Sequence, residues 1–361
     1  MIRVGVFGAG HLGKIHLKLL NASVHFELVG FYDVNQEASK QLATELGYRY
    51  FDQAEALMKE VEGLFIITPT LYHFEYALAA LKHNLHVFVE KPICENPEQA
   101  ARLVQLAAEH NRVAQVGHVE RFNPAFVAAL PHLNQPKFIE VHRLAEFNPR
   151  GTDVSVVLDL MIHDIDLVLQ CNTSAIKRID ANGTAVISQS VDIATARIEF
   201  EDSCVANLTA SRISLKNMRK LRCFQKDAYV TVDLLEKKTE IVRMKDAPEN
   251  PGEFDLLLPT AEGQLKQIYF ESPSITLTNA IEEEHTNFAA AINHQQPPLV
   301  TFEDGRRALS IAQEIINQLE EKTSWRLFDL SKGGSLLMLI AAVFLLNTLT
   351  LTAQTLSKKN S

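Results

Sequence analysis

Two short stretches carry residue types suited to moving a proton and a developing negative charge. Glu90-Lys91-Pro92 closes the apolar run at 86–90, and a lysine there can hydrogen-bond a reacting hydroxyl and stabilise alkoxide charge. The other reading of the same residues is a surface ion pair between Glu90 and Lys91. The second stretch is Leu158-Asp159-Leu160-Met161-Ile162-His163-Asp164-Ile165-Asp166-Leu167. Asp159 and His163 are four apart, so a helix places them on one face. Histidine titrates near neutrality and can take or give a hydroxyl proton, while Asp159 can orient its ring or bind a substrate hydroxyl. Alternatively, this is a helix with a wet face, and His163 is a satisfied histidine between domains. The segment offers no second histidine at helical spacing and no nearby cysteine, so no metal site is expected.

The elements that must position these residues begin at the N-terminus. The run 2–7 reads as a buried strand, Gly8-Ala9-Gly10-His11-Leu12-Gly13 follows directly, and 14–20 continues as a helix. A second apolar run, 26–32, ends in Asp33, twenty residues after Gly13. This is the dinucleotide-binding fingerprint in its required strand–turn–helix context. Gly8 permits the tight turn, Gly10 lets the backbone approach a pyrophosphate, and Gly13 lets helix and strand pack closely. His11 and Leu12 complete the loop, whose free N–H groups and helix dipole favour an anion. Asp33 would accept from the adenine-ribose hydroxyls and repel a 2′-phosphate, which favours NAD over NADP. The bland alternative is a glycine-rich turn in some other α/β unit.

From 1 to 117, strand patterns at 3–8, 28–33, 63–67, 86–90 and 113–116 alternate with helical patterns at 36–46, 74–83 and 97–109. That alternation predicts a parallel sheet covered on both faces. From 118 to 330, strand patterns follow one another at 138–145, 191–201, 204–211, 220–225, 228–234 and 239–244. The period-two pattern at 193–200 and the turn residues Glu201-Asp202-Ser203 predict a mostly antiparallel sheet with one wet face. Helical segments at 156–170, 279–292 and 305–321 would cover one side of it or return to the first domain, and 246–252 reads as a polar loop.

With 361 residues, 47% hydrophobic content and 22% charged content, the chain can form two domains with substantial cores. Its net charge of −9 and lack of a long basic stretch argue against nucleic acid as a partner. Cys94, Cys171, Cys204 and Cys223 lack metal or redox spacing and read as reduced thiols in a cytoplasmic protein. The first strand starts at once, leaving no room for a cleaved signal peptide. Beyond 330, an extension at 331–361 holds an apolar run of eighteen residues, 336–353, interrupted by Asn347 and three threonines. It reads either as a tail anchor holding the protein to the cytoplasmic face of a membrane or as a tail outside the fold.

In this order, the nucleotide fingerprint, Glu90-Lys91-Pro92 and Asp159-x-x-x-His163-x-x-Asp166 resemble the Gfo/Idh/MocA oxidoreductases over roughly 1–330. Gly13-Lys14-Ile15-His16 resembles that family's opening helix, and Thr68-Pro69-Thr70-Leu71-Tyr72-His73 its cofactor loop. The resemblance implies an N-terminal Rossmann domain with a doubly wound sheet, then an α+β domain with an open-faced sheet. It implies bound NAD(H), held in part by Thr68, Pro69, His73 and Glu90, with Lys91 and His163 facing the nicotinamide and Asp159 contacting substrate. It also implies a homo-oligomer, dimer or tetramer, built through the open sheet. Gly117-His118-Val119-Glu120-Arg121-Phe122-Asn123-Pro124-Ala125 is similar to members that oxidise C3 of UDP-N-acetylglucosamine or its uronic acid, as is Ala210-Ser211-Arg212-Ile213. Arg121 suits a bidentate contact with a carboxylate or phosphate, and Asn123 a hydroxyl or acetamido group. Both could instead cap the helix that Pro124 opens. Arg212 and Lys216 could add phosphate contacts or be solvated strand ends. The expected activity is hydride transfer between a sugar or nucleotide-sugar carbon and NAD. A redox-neutral NAD-dependent glycosidase and a non-enzymatic NAD-binding sensor are the alternatives.

Overall fold

A computed structural model describes residues 1–148, 154–252, 255–261 and 263–322. The chain divides into two compact units, Met1–Ile315 and Ile316–Ser361; of the second, only 316–322 are described, and they are helical. The apolar run at 336–353 lies outside the described residues. Among the described residues, no helix is long and apolar enough to cross a membrane.

The first sheet contains β1 (Ile2–Phe7), β2 (Phe26–Tyr32), β3 (Tyr50–Phe51), β4 (Gly63–Ile66), β5 (His86–Glu90) and β6 (Ala114–Gly117). Its strands are parallel, in the order β3-β2-β1-β4-β5-β6. This is the doubly wound arrangement expected from the sequence, with a ligand crevice at the carboxyl ends where the order reverses beside β1. Helices α1 (His11–Ala22), α2 (Gln36–Leu46), α3 (Ala54–Met58), α4 (His73–Lys82) and α5 (Pro97–Glu109) link the strands. Local chemistry sets their ends. The Asn35 side chain accepts from Ala38 N to start α2, and Gly47 at φ 72° stops it. Asn96 caps α5, with Pro97 in its first turn.

Strand alternation divides the buried side chains between two cores. Leu64, Ile66, Val87 and Val89 pack with Leu103 and Leu106 of α5, while Phe65 and Phe88 pack with Leu17 and Leu20 of α1. The Phe65 and Phe88 rings stack at 5.0 Å. Helix α8 (Ala280–His294), near the far end of the chain, inserts Phe288 and Ala289 into the second of these cores. Val300, Phe302 and Leu309 join the first core, and Val116 N donates to Val300 O at 3.1 Å. Residues 280–309 therefore complete the nucleotide-type sheet. They lie inside the range 118–330 assigned to the other domain, and of the two placements expected for the helical segments 279–292 and 305–321 they take the return to the first domain. The apolar faces of this segment match the first sheet, which needs cover on both sides.

The second sheet holds β7 (Phe138–Glu146), β8 (Ile176–Thr184), β9 (Ile193–Phe200), β10 (Val205–Ser214), β11 (Met218–Phe224), β12 (Ala228–Asp233), β13 (Lys238–Asp246), β14 (Leu256–Pro259) and β15 (Leu265–Glu271). Its order is β14-β15-β13-β12-β11-β7-β10-β9-β8, antiparallel except between β7 and β10. Glu201-Asp202-Ser203 forms the β9–β10 hairpin, with Ser203 at φ 67°. Strand β9 buries Ala194, Ala196, Ile198 and Phe200 and exposes Thr195 and Arg197. The short helix α6 (Pro124–Ala129) precedes this sheet, and a π-turn over Val157–Met161 leads into α7 (Ile162–Cys171).

His86, at the start of β5, accepts from Val113 N through Nδ1 at 3.0 Å. Burial, reinforced by the Arg112 charge, pushes its pKa down to about 4. The unfolded chain binds this proton near pH 6.5 and the folded chain only near 4, so the unfolded state holds more protons in that window. Stability is therefore lost as pH falls from about 6.5 towards 4. Denaturant unfolding of wild type and His86→Gln at pH 7.5 and 5 should show the wild type losing more stability on acidification. Equal losses would contradict the assignment.

Candidate active site

The glycine loop is fixed by close contacts on two sides and open on the third. Gly8 has φ 95°, donates its N–H to Tyr32 O at 2.9 Å, and has no room for a Cβ, which would lie 2.3 Å from Ile67 O. A Cβ on Gly13 would lie 2.1 Å from Gly8 O, so only glycine lets α1 meet the end of β1. At Gly10 a Cβ would meet nothing within 4 Å. Gly10 precedes a helix with no side-chain cap and no acid in its first turn, so its amides face an open space suited to an anion. His11 and Leu12 stand exposed on that turn. Asp33 shapes the loop directly: Oδ2 accepts from Ala9 N at 2.7 Å and Oδ1 from Asn35 N at 2.9 Å. Its remaining lone pairs suit ribose hydroxyls. A cleft of about 240 Å³ runs between Gly8, Gly10, Asp33, Thr68, Pro69 and Tyr72. Beside it, the Thr68 hydroxyl is buried without a hydrogen-bond partner. An open helix N-terminus, a ribose-directed carboxylate and an unpartnered hydroxyl on one cleft fit a dinucleotide.

The family resemblance puts His73 on the cofactor, but the structure turns its ring inward. Nδ1 lies 2.8 Å from Pro92 O and Nε2 2.8 Å from Thr68 O. Burial lowers its pKa. It ties the Thr68 loop to the turn that carries Lys91. Glu90 is likewise held from within. Its Oε1 is 3.2 Å from His16 Nε2, its Oε2 accepts from Lys91 N at 3.2 Å, and Gly117 leaves room for the carboxylate. His16 Nδ1 in turn lies 2.9 Å from His285 Nε2. Burial opposes the Glu90 charge, but His16 and Lys91 outweigh it and hold the carboxyl below its ordinary pKa.

Lys91 meets Asp159, and its charge acts on His163. Lys91 Nζ donates to Asp159 O at 2.9 Å and lies 3.6 Å from Asp159 Oδ1. Burial lowers the Lys91 pKa, with Asp159 and Glu90 opposing. His163 is held well below its ordinary pKa by burial and then by the Lys91 and Arg143 charges, so it is neutral at pH 7. Its Nδ1 is buried and has no partner. Asp159 sits in the π-turn, a wide turn often found at functional sites, and its carboxylate serves Lys91.

Arg121 and Asn123 are turned inward, unlike the expectation that they meet substrate. The Arg121 guanidinium grips Asp166 through Nε and Nη2 at 2.7 and 2.8 Å, and Nη1 reaches Gln170 Oε1 at 2.7 Å. The two charged side chains are only 5% and 1% exposed. Asn123 accepts from Ala125 N at 3.1 Å and donates to Glu120 and Leu234 O at 3.0 and 2.9 Å, which makes it the cap of α6. Arg212 donates to Val154 O at 2.8 Å, while Lys216 is exposed. In each of the two arginines, a core-directed position gave the guanidinium an internal partner. Sequence reasoning missed Arg143, which joins Asp164 and Glu120 at 2.8 to 2.9 Å. A signal existed: Arg143 follows Ile139 and Val141 on the inward face of β7, where a charge needs a buried partner. It also missed His16, His285 and His118. Among the described residues, no group of three or more His, Cys, Asp or Glu could hold a metal ion.

The family model described as an oxidoreductase family with an NAD-binding Rossmann fold matches residues 2–118. The UDP-N-acetylglucosamine 3-dehydrogenase of Acidithiobacillus ferrooxidans is 33% identical over 319 residues, covering 87% of this chain and 96% of that protein. The chain belongs to the Gfo/Idh/MocA oxidoreductases. The solved structure of that dehydrogenase superposes with a TM-score of 0.79 at 32% identity, covering 89% of this chain and 98% of the other. The myo-inositol 2-dehydrogenase of Thermotoga maritima is 22% identical over 345 residues, 90% of this chain and 98% of that protein. The scyllo-inositol dehydrogenase of Lactobacillus casei, solved with NAD(H) and scyllo-inositol, has a TM-score of 0.71 at 21% identity, covering 89% and 98%, and shares the fold. The protein is thus an NAD-binding oxidoreductase, and the cleft between Gly10, Asp33 and Thr68 is where its residues fit the cofactor.

Because Arg121 is paired inside the protein, Arg121→Met should leave Asp166 buried and uncompensated. Denaturant unfolding should show a loss of about 3–5 kcal/mol. A variant with unchanged stability and only a raised KM would restore Arg121 to the substrate. Asp33→Ala removes the acceptor of Ala9 N and the ribose-directed oxygens together. Calorimetry should show NAD binding weakened about tenfold or more, the loss of charge-assisted hydrogen bonds of about 1.5–3 kcal/mol.

Proposed function

We propose that this protein oxidises a ring hydroxyl of a nucleotide sugar, C3 of a UDP-N-acetylhexosamine or its uronate, with NAD as oxidant. The observation that carries the reading is the meeting of Lys91 with Asp159 at the carboxyl end of β5, with His163 under the Lys91 charge, in a chain one-third identical along its length to a UDP-N-acetylglucosamine 3-dehydrogenase. Bound NAD supplies the hydride acceptor. Lys91 directs its ammonium at the reacting oxygen and stabilises alkoxide charge as the proton leaves. His163, neutral because it is buried among cations, accepts that proton. Asp159 keeps Lys91 charged against burial and fixes its direction. Arg121 and Asn123 act on substrate only through the elements they brace. The reading also takes the protein as cytoplasmic, which four free cysteines support, and as a homo-oligomer, which the family resemblance implies.

Absorbance of reduced nicotinamide, followed with NAD and a panel of UDP-sugars, free sugars and inositols, tests the assignment. Absorbance should rise with UDP-N-acetylglucosamine or its uronate. Sugar release without accumulated NADH would point to the redox-neutral glycosidase instead. Lys91→Met and His163→Asn should each lower kcat by about 10²–10⁴ while NAD still binds. Normal turnover in both would remove the two residues from the mechanism.

A further inference from the structure

A histidine base usually has its second ring nitrogen held by a partner that fixes its tautomer and direction. Here Asp159, the neighbour best placed in sequence, is spent on Lys91, and His163 Nδ1 is buried with nothing to bond. The ring beside it is His118, seated where β6 ends. His118 is 1% exposed, and neither of its ring nitrogens has a partner. The two rings meet edge to face, 6.4 Å between centroids at 88°. Three buried ring nitrogens in adjacent side chains therefore lack partners in a protein interior where such atoms are nearly always bonded. Centroids this far apart are too distant for a direct ring-to-ring hydrogen bond, so a link between the two rings needs a bridging group, and water is the usual partner of clustered buried polar atoms.

We propose that a water bridges His118 and His163 Nδ1, and that His118 is the positioning residue that sets the tautomer of the catalytic base. His163 Nδ1–H donates to the water, and the water donates to a His118 nitrogen. The Nε2 lone pair of His163 is then free for the substrate proton. The surroundings favour neutral rings on both sides. His118 faces Asp166 of α7, Lys91 and Glu90 at the end of β5, and Arg121 of its own segment. His163 faces Lys91, Arg143 of β7 and Arg219 of β11. Burial depresses both pKa values, so at pH 7 each ring has one N–H and one lone pair, as the bridge requires.

This inference rests on the reading of His163 as the base, and the test separates the two. Nitrogen-15 NMR of histidine-labelled protein, without cofactor or substrate, reports the tautomer of each ring. The wild type should show His163 as one Nδ1–H tautomer. His118→Phe, which keeps the volume and removes the nitrogens, should turn this into a mixture, whereas His118→Gln, which keeps a donor and an acceptor, should retain most of the single tautomer. In turnover, His118→Phe should lose about 10–100-fold in kcat with little change in KM, the size of effect seen when an orienting partner is removed. His118→Gln should recover most of that loss. An unchanged His163 tautomer in His118→Phe, or equal kcat for both variants and wild type, overturns the proposal. If His163→Asn turns over normally while the tautomer still depends on His118, the base assignment fails and the bridge stands.

Discussion

Helix α7 is held by two buried ion pairs, and the active site depends on where they put it. Arg121 leaves the first sheet at the end of β6 and closes on Asp166, while Arg143 reaches from β7 of the second sheet to Asp164. His163 lies next to Asp164 on the same helix, so its distance from Lys91 is set by these two grips. Buried pairs are poor sources of net stability, because desolvation consumes most of the Coulomb attraction. What they provide is direction. An Arg–carboxylate fork accepts one geometry, where an apolar contact tolerates sliding. A histidine on a helix and a lysine at a strand end keep a fixed separation only under that kind of constraint.

The same pairs set the electrostatics. His163 sees Lys91, Arg143, Arg219 and His118, and burial acts in the same direction as their charge. A histidine so placed resists protonation. Burial pulls the Lys91 pKa down, and Asp159 and Glu90 oppose it. Glu90 stays ionised only because His16 and Lys91 outweigh its own burial. Each group's protonation is thus biased by its neighbours as well as by its burial.

Much of this was readable before any coordinates. The glycine spacing, Asp33 and the alternating apolar runs are local patterns, and they located the nucleotide cleft and five strands of its sheet within a residue or two. Lys91 and His163 could be singled out because each is a reactive type at a strand or helix position, although each also had an ordinary reading, as a surface ion pair or a satisfied histidine. Arg121 was misjudged because a sequence gives a side chain's chemistry but not its partner; Asp166 is 45 residues away. Strand β8 was missed because Lys177, Arg178, Asp180 and Asn182 hide any apolar period, as suits an edge strand that must resist pairing. Strand β14 buries none of its four residues, so no burial pattern existed to find.

His16 and His285 show why the rest was hidden. They lie 269 residues apart, yet touch at 2.9 Å and together steady Glu90 beside Lys91. Neither belongs to a motif that implies the other. Helix α8 brings His285 to that point because Phe288, one turn on, fills the core between Phe26, Phe65 and Phe88. An apolar contact made late in the sequence therefore seats a polar contact at the site. Closing a contact over so long a stretch of chain costs conformational entropy, and the aromatic packing of Phe288 offsets part of it. The hydrogen-bond geometry at Glu90 thus depends on how well an apolar side chain one turn from His285 fits its core.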